Sequence, residues 1–202
     1  MKTLIIVDPQ NDFMPGGSLE VPKGDEIVPV INRIMSKFDL VVATQDWHPK
    51  NHGSFASNHE GKKPFDKTML YGTEQILWPD HCVQNSNGAN FHSDLNTKPI
   101  EAIFRKGMDP AIDSYSGFFD NGHKKRTGLS GYLKDRQSNE VYIAGLAADV
   151  CVQYTLRDAI AEGFETWLIE DATRALDAGA FKSIKKELSE LGCHFTESRH
   201  VQ

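Results

Sequence analysis

A chain of 202 residues with 39% hydrophobic and 25% charged residues has the composition of a globular protein, which excludes disordered, collagen-like and membrane-spanning classes. Its net charge of −6 disfavours binding to nucleic acid or to anionic membrane surfaces. The first apolar run, Leu4 to Val7, is too short for a signal-peptide core, so we expect a cytoplasmic protein.

Six short apolar runs predict strands, several of them buried on both faces. In chain order they are Thr3 to Val7, Leu40 to Thr44, Ile100 to Arg105, Glu140 to Ala144, Thr166 to Glu170 and Cys193 to Thr196. Helical spacing of apolar residues predicts amphipathic helices at Ile27 to Met35, Val152 to Gly163 and Phe181 to Leu191. Strands that alternate with helices predict a single-domain, three-layer α/β/α fold over residues 1–202, with a mostly parallel six-stranded sheet.

Three irregular segments follow predicted strands. The longest, residues 45–99, has no sustained period but contains five histidines and two tryptophans. The others run from Pro9 to Lys23 and from Gly107 to Gly128. Because ligands bind beyond the carboxyl ends of the strands in open parallel sheets, we expect these loops to gather around a site at that edge.

Polar side chains and one thiol stand at these predicted strand ends. They are Asp8, Asp46 with His48, Lys106, and Cys151. Each alone has an ordinary structural explanation, such as a cap, a solvated charge or a core thiol. Their joint placement favours a catalytic site.

Cys151 follows the turn Gly145-Leu-Ala-Ala-Asp-Val, which predicts a strand-to-helix junction. Amides at a helix N-terminus and a nearby lysine lower a thiol pKa, so we expect an activated nucleophile with Asp8 as its acid and base. Backbone N–H groups of the same turn are candidates for an oxyanion hole.

The histidine-rich segment offers ligands for a divalent transition metal. Asp46 and His48 form a D-x-H pair, and Trp78-Pro-Asp-His-Cys adds His81. We favour His81 as the ligand and Cys82 as its neighbour, with ligation by Cys82 left open.

Two further histidines and one further cysteine have ordinary structural explanations. His52 and His59 are expected to be exposed loop residues, and Cys193 is expected to be a core thiol. The three cysteines include no C-x-x-C pair, which argues against a disulfide framework and against a thiol redox enzyme.

These motifs resemble the nicotinamidases of the isochorismatase-like cysteine hydrolases, from residue 3 to about residue 175. The resemblance is carried by Val7-Asp-Pro-Gln-Asn-Asp-Phe, Thr44-Gln-Asp-Trp-His-Pro, Trp78-Pro-Asp-His-Cys-Val, Phe104-Arg-Lys-Gly, Asp113-Ser-Tyr-Ser and Gly145-Leu-Ala-Ala-Asp-Val-Cys-Val. It implies metal-dependent hydrolysis of nicotinamide to nicotinate and ammonia for NAD salvage, with pyrazinamide as a second substrate.

The resemblance also implies roles for individual residues. Asp8, Lys106 and Cys151 would form a catalytic triad that passes through a Cys151 thioester, with an oxyanion hole from Ala147 and Cys151. A metal ion would be held by Asp46, His48 and His81. The pocket walls would come from Phe13, Trp78 and Tyr115. Zinc is the expected ion, with iron or manganese as alternatives. The family pattern further implies a cis peptide between Leu146 and Ala147.

Two positions depart from the family pattern. Ala148 stands where many relatives carry threonine, and Ser54 stands where some carry a further histidine or acid, which leaves the identity of the metal open. Two rival functions are a metal-free relative acting on isochorismate or an N-carbamoyl amide, and a non-catalytic metal-binding domain. The sequence leaves the oligomeric state open, a homo-oligomer included.

Overall fold

The computed structural model describes residues 1–202 and has six parallel strands in one sheet. The strands are β1 (Lys2–Val7), β2 (Leu40–Asp46), β5 (Ala102–Lys106), β6 (Glu140–Leu146), β7 (Glu165–Arg174) and β8 (His194–Thr196), with β3 (Lys67–Leu70) and β4 (Thr73–Ile76) forming a separate antiparallel pair. The order across the sheet is β5-β2-β1-β6-β7-β8. All six strands predicted from the apolar runs are present, and the sheet is parallel throughout.

Helices cover both faces of the sheet. They are α1 (Ile27–Ile34), α2 (Leu129–Asp135), α3 (Gln153–Ala161) and α4 (Ala178–Glu190). In β1, Leu4 and Ile6 belong to the apolar cluster that contains α1, whereas Ile5 and Val7 belong to the cluster that contains α2, α3 and α4. This alternation confirms the three-layer arrangement. None of the helices is long and apolar enough to cross a bilayer.

Two elements were not predicted. The β3–β4 hairpin lies inside the segment 45–99, and its strands are largely exposed, so no buried alternation marks them. Its turn has positive φ at Tyr71 (53°) and Gly72 (80°), as a type I′ turn requires. The seven-residue helix α2 buries Leu129 and Leu133 at i, i+4 spacing but is too short for a clear period.

Gly145 joins β6 to β1 in a way that only glycine permits. It pairs with Val7 at φ 120°, and a Cβ atom there would lie 2.0 Å from the carbonyl oxygen of Val7. This close approach sets the end of β6 beside the end of β1.

Replacing Gly145 with alanine is therefore expected to destabilise the protein by at least about 2 kcal/mol, from a disfavoured φ and a backbone clash. The matched control is Gly131→Ala in α2, where a Cβ meets nothing within 4 Å. Alanine there is expected to stabilise by about 0.5–1 kcal/mol. Urea unfolding measures both, and equal stability of the two variants would contradict the strand pairing described.

Candidate active site

The four adjacent strands β5, β2, β1 and β6 end at the same edge of the sheet and position the candidate residues. Lys106 is the last residue of β5, Asp46 is the last of β2, and Asp8 follows β1 directly. Cys151 lies in the turn Ala148–Val152, between β6 and α3. The expectation that these strand ends meet at one edge is confirmed.

The ammonium group of Lys106 lies at the centre of this cluster. Its Nζ atom is 2.8 Å from Asp8 Oδ2, 2.6 Å from Asp46 Oδ1 and 3.4 Å from Cys151 Sγ, and it donates to the carbonyl of Ser114 at 3.0 Å. Burial favours the neutral amine, but the two carboxylates outweigh it and raise the pKa of Lys106 well above its usual value. The lysine therefore stays charged and compensates two buried acids.

Asp8 is fully buried next to the thiol. Thr44 Oγ1 donates to Asp8 Oδ1 at 2.6 Å, which fixes the carboxylate while its other oxygen faces Lys106. Burial raises the pKa of Asp8, and Lys106 only partly opposes this effect. A carboxylate of raised pKa is a better proton acceptor than an ordinary aspartate.

The expectation that the Cys151 thiol has a lowered pKa is not met. Burial raises its pKa well above the usual value, the Lys106 ammonium lowers it only in part, and the charges of Asp8 and Asp46 raise it further. The sequence showed the helix start and the lysine but not the depth of burial.

The turn before Cys151 has an unusual backbone. The peptide bond between Leu146 and Ala147 is cis, as the family pattern implied. The carbonyl of Ala147 accepts hydrogen bonds from the N–H groups of Val150 (3.0 Å) and Val152 (3.1 Å). Ala147 and Cys151 are both buried and line the same cavity.

Asp46, His48 and His81 form a buried set of metal-type ligands, with one ligand atom of each within 4.8 Å of the others. Asp46 Oδ2 lies 3.5 Å from His48 Nε2 and 3.7 Å from His81 Nε2. The Nδ1 atoms face the carbonyls of Gly107 (2.9 Å) and Pro79 (2.8 Å).

Carbonyl partners on Nδ1 leave the Nε2 lone pairs free to bind an ion. The burial of Asp46 opposes its ionised form, but Lys106 and His48 lower its pKa well below the usual range. An ionised carboxylate with two imidazoles whose Nε2 atoms face it suits a divalent transition metal, so this donor set fits the expected ion.

Gln10, two residues after Asp8, joins the end of β1 to the end of β2. Its side-chain amide accepts from the N–H of Asp46 (2.8 Å) and donates to the carbonyls of Asp46 (2.8 Å) and Ala89 (2.9 Å). Gln10 therefore holds the loop that begins at Asp46, and that carries His48, against the end of β1. Gln10 belongs to the segment Val7-Asp-Pro-Gln-Asn-Asp-Phe, but its contact with Asp46 depends on the pairing of β1 with β2.

A cavity with mostly hydrophobic walls opens onto this cluster. Phe13, Trp78 and Tyr115 lie in its wall, as expected, and they share it with Cys151 and His81. Trp78 Nε1 donates to the hydroxyl of Tyr115 at 3.2 Å, which fixes the two rings relative to each other.

Sequence reasoning missed further members of this wall. They are Leu19, Val21, Asp113, Val150 and Leu176. Leu19 and Val21 are apolar residues in the loop that follows β1, and this pattern could have predicted that they line the site. Asp113 lies in the motif Asp113-Ser-Tyr-Ser, but the sequence predicted no role for it.

The prediction that His52 is exposed is wrong. Its side chain is 0% exposed, and its ring packs against His48 with centroids 4.4 Å apart. Burial, aided by the neighbouring His48, lowers the pKa of His52 to about 4. His59 is half-buried, with Nε2 2.7 Å from the carbonyl of Gly53.

The other two cysteines do not line the cavity. Cys193 is buried in the apolar cluster on the α3 face, as expected. Cys82 is buried, and its backbone N–H donates to Asp12 at 2.7 Å. Its sulfur belongs to none of the clusters with metal-ligand spacing.

Comparison with known proteins gives a consistent result. The sequence matches the isochorismatase domain family over residues 2–199. It is 48% identical to a nicotinamidase of Escherichia coli K12 over 180 residues, covering 87% of this chain and 84% of that protein.

Solved structures agree over the whole chain. A nicotinamidase/pyrazinamidase of Acinetobacter baumannii superimposes with a TM-score of 0.96 at 44% identity, covering 100% of this chain and 98% of the other. A pyrazinamidase of Pyrococcus horikoshii in complex with zinc superimposes with a TM-score of 0.81 at 36% identity, covering 97% and 98%. The chain therefore belongs to the isochorismatase family and groups with the nicotinamidases of that family.

Proposed function

We propose that the protein hydrolyses nicotinamide to nicotinate and ammonia, with Cys151 as nucleophile and Asp8 and Lys106 as its partners. One observation carries the proposal: the buried Asp8–Lys106–Cys151 cluster opens onto an apolar cavity that also contains the metal-type ligands Asp46 and His81. A planar heteroaromatic carboxamide fits a cavity with aromatic walls and polar groups at one end. Pyrazinamide has the same shape and carboxamide, so we propose it as a second substrate.

The reaction begins at the thiol. Cys151 transfers its proton to Asp8 as its sulfur forms a bond to the carboxamide carbon, and the carbonyl oxygen becomes an oxyanion. We propose that the N–H groups of Ala147 and Cys151 stabilise that charge. Asp8 then protonates the amine as the carbon–nitrogen bond breaks, which releases ammonia and leaves a nicotinoyl thioester on Cys151.

Hydrolysis of the thioester reverses the proton transfers. Asp8, again a carboxylate, accepts a proton from water as the water oxygen attacks the acyl carbon. The sulfur leaves with that proton, and nicotinic acid is released and ionises to nicotinate, which restores the resting thiol and the Asp8 carboxylate. Throughout, the Lys106 ammonium offsets the negative charge that moves between Asp8 and Cys151.

Asp46, His48 and His81 would hold one divalent metal ion, for which we propose zinc, with iron or manganese as alternatives. When bound, the metal supplies a coordination position for the pyridine nitrogen and so anchors the substrate. The zinc-bound relative from Pyrococcus horikoshii supports this choice of ion.

The direct test is release of ammonia and nicotinate from nicotinamide by the purified protein, before and after treatment with a chelator. We expect both products in equal amounts, loss of activity with the chelator and recovery on addition of one metal. Benzamide, which lacks the ring nitrogen, is the matched substrate and is expected to react poorly. No release of nicotinate with any divalent metal would refute the proposal.

Trp78 offers a test of the pocket. Replacing Trp78 with alanine removes an aromatic wall, and we expect KM for nicotinamide to rise about 10- to 100-fold with a smaller change in kcat. The control is Trp167→Ala, because Trp167 stacks on Tyr142 and His194 and does not line the cavity. Steady-state kinetics measure both, and an unchanged KM in the Trp78 variant would place the substrate elsewhere.

A further inference from the structure

His52 is a buried histidine to which the proposed reaction gives no role. Its side chain is 0% exposed, and its ring lies against that of His48, with 4.4 Å between centroids. Its Nε2 atom has no hydrogen-bond partner in the protein, although buried polar atoms are nearly always paired. The unpaired nitrogen indicates a partner that the polypeptide itself does not supply.

Ser54 determines which ring nitrogen of His52 carries the hydrogen. The backbone N–H of Ser54 donates to His52 Nδ1 at 3.2 Å, and the Ser54 hydroxyl lies 2.7 Å from the same nitrogen. Because Nδ1 accepts a hydrogen bond, the neutral ring carries its hydrogen on Nε2. The unpaired Nε2 is therefore a donor, and it lacks the lone pair that a direct metal ligand needs.

The groups around His52 limit which atom can accept a hydrogen bond from its Nε2. His48, His52 and Asp113 each offer an atom within 4.8 Å of the other two. The Asp113 carboxylate accepts from Ser114 N (2.8 Å) and from Gln75 Nε2 (3.0 Å), and it makes no hydrogen bond to His52. His52 Nε2 therefore has no acceptor in the protein, and its ring packs directly against His48, one of the three candidate metal ligands.

We propose that His52 is a positioning residue that donates its Nε2–H to a water in the coordination shell of the metal held by Asp46, His48 and His81. The inference rests on the proposed metal site. Three protein ligands leave positions that water fills on a divalent transition ion, and a donor that holds such a water strengthens binding of the ion. Ser54, one of the two departures from the family pattern, then acts through His52 by fixing its tautomer.

The test measures metal affinity without substrate. Metal-free protein is titrated with Co²⁺ in competition with a chelating dye, for the unaltered chain and for His52→Leu, His52→Gln and His59→Leu. We expect His52→Leu to bind Co²⁺ about 10- to 100-fold more weakly, as for other lost outer-shell partners. The amide N–H of glutamine reaches a similar position, so His52→Gln is expected to restore most of the affinity.

His59→Leu is the matched control, because His59 lies in the same loop and its Nε2 faces only the carbonyl of Gly53 at 2.7 Å. We expect it to keep the affinity of the unaltered chain. Unchanged affinity in His52→Leu, an equal loss in His59→Leu, or no recovery in His52→Gln would each overturn the role of His52.

X-ray absorption on the Co²⁺-loaded, unaltered chain needs no variant and separates a positioning role from direct ligation. Two imidazole ligands are expected, and three would overturn the inference by making His52 a ligand. Absence of Co²⁺ and Zn²⁺ binding by the unaltered chain would instead overturn the proposed metal site, and this inference with it. The two failures are therefore distinguishable.

Discussion

Replacing Cys151 with alanine is expected to lower kcat for nicotinamide hydrolysis by about 10⁴- to 10⁶-fold, as for loss of other catalytic nucleophiles. Cys151 is the only cysteine on the cavity wall, and its sulfur lies 3.4 Å from Lys106 Nζ. No thioester forms without it. Ammonia release by metal-loaded protein measures the effect.

Cys193→Ala is the control for this variant. Cys193 is also a buried thiol, but it belongs to the apolar cluster on the α3 face and lies outside the cavity. We expect it to retain turnover, and circular dichroism should show that both variants are folded. Turnover by Cys151→Ala close to that of the unaltered chain would remove the nucleophile from the mechanism.

Replacing Lys106 with methionine is expected to destabilise the protein by about 3–5 kcal/mol at pH 7, because it leaves buried carboxylates without their cation. Lys106 contacts both Asp8 (2.8 Å) and Asp46 (2.6 Å), and all three side chains are buried. The control is Lys67→Met, which removes an exposed ion pair with Glu74 and is expected to cost less than about 1 kcal/mol. Urea unfolding of metal-free protein compares them.

The loss in the Lys106 variant should also depend on pH. Without the ammonium, burial and the charge of Asp46 act on Asp8 with only the Thr44 hydroxyl to oppose them, so the pKa of Asp8 in the folded protein rises further above the unfolded value. A group with a raised folded-state pKa stabilises the fold when protonated, and this contribution is lost as the pH rises through that pKa. The variant should therefore regain stability as the pH falls from 7 towards 5. Destabilisation that is independent of pH, or equal to that of Lys67→Met, would argue against an unpaired buried carboxylate.

The arrangement of the catalytic candidates could be predicted because it follows from topology. Parallel strands place their carboxyl ends at one edge, so Asp8, Asp46 and Lys106 were expected together once the strands were recognised. The apolar runs identified those strands because they are buried on both faces.

The environment of each side chain was harder to predict, because it depends on contacts between distant segments. His52 lies in a polar segment without a period, yet it is buried where the rings of His48, Phe55 and His81 pack together. The raised pKa of the Cys151 thiol likewise reflects its burial, which no local motif encodes. The sequence did not predict the β3–β4 hairpin, because its strands are largely exposed and carry no pattern of buried apolar residues.

The most direct test of the proposed chemistry is detection of the acyl group on Cys151 during turnover. Metal-loaded protein reacting with nicotinamide is quenched in acid, digested and analysed by mass spectrometry, and a parallel reaction contains hydroxylamine. We predict a nicotinoyl group on the peptide that contains Cys151, and nicotinohydroxamate in the parallel reaction. Release of nicotinate with neither product, or an acyl group on a different residue, would contradict hydrolysis through a Cys151 thioester.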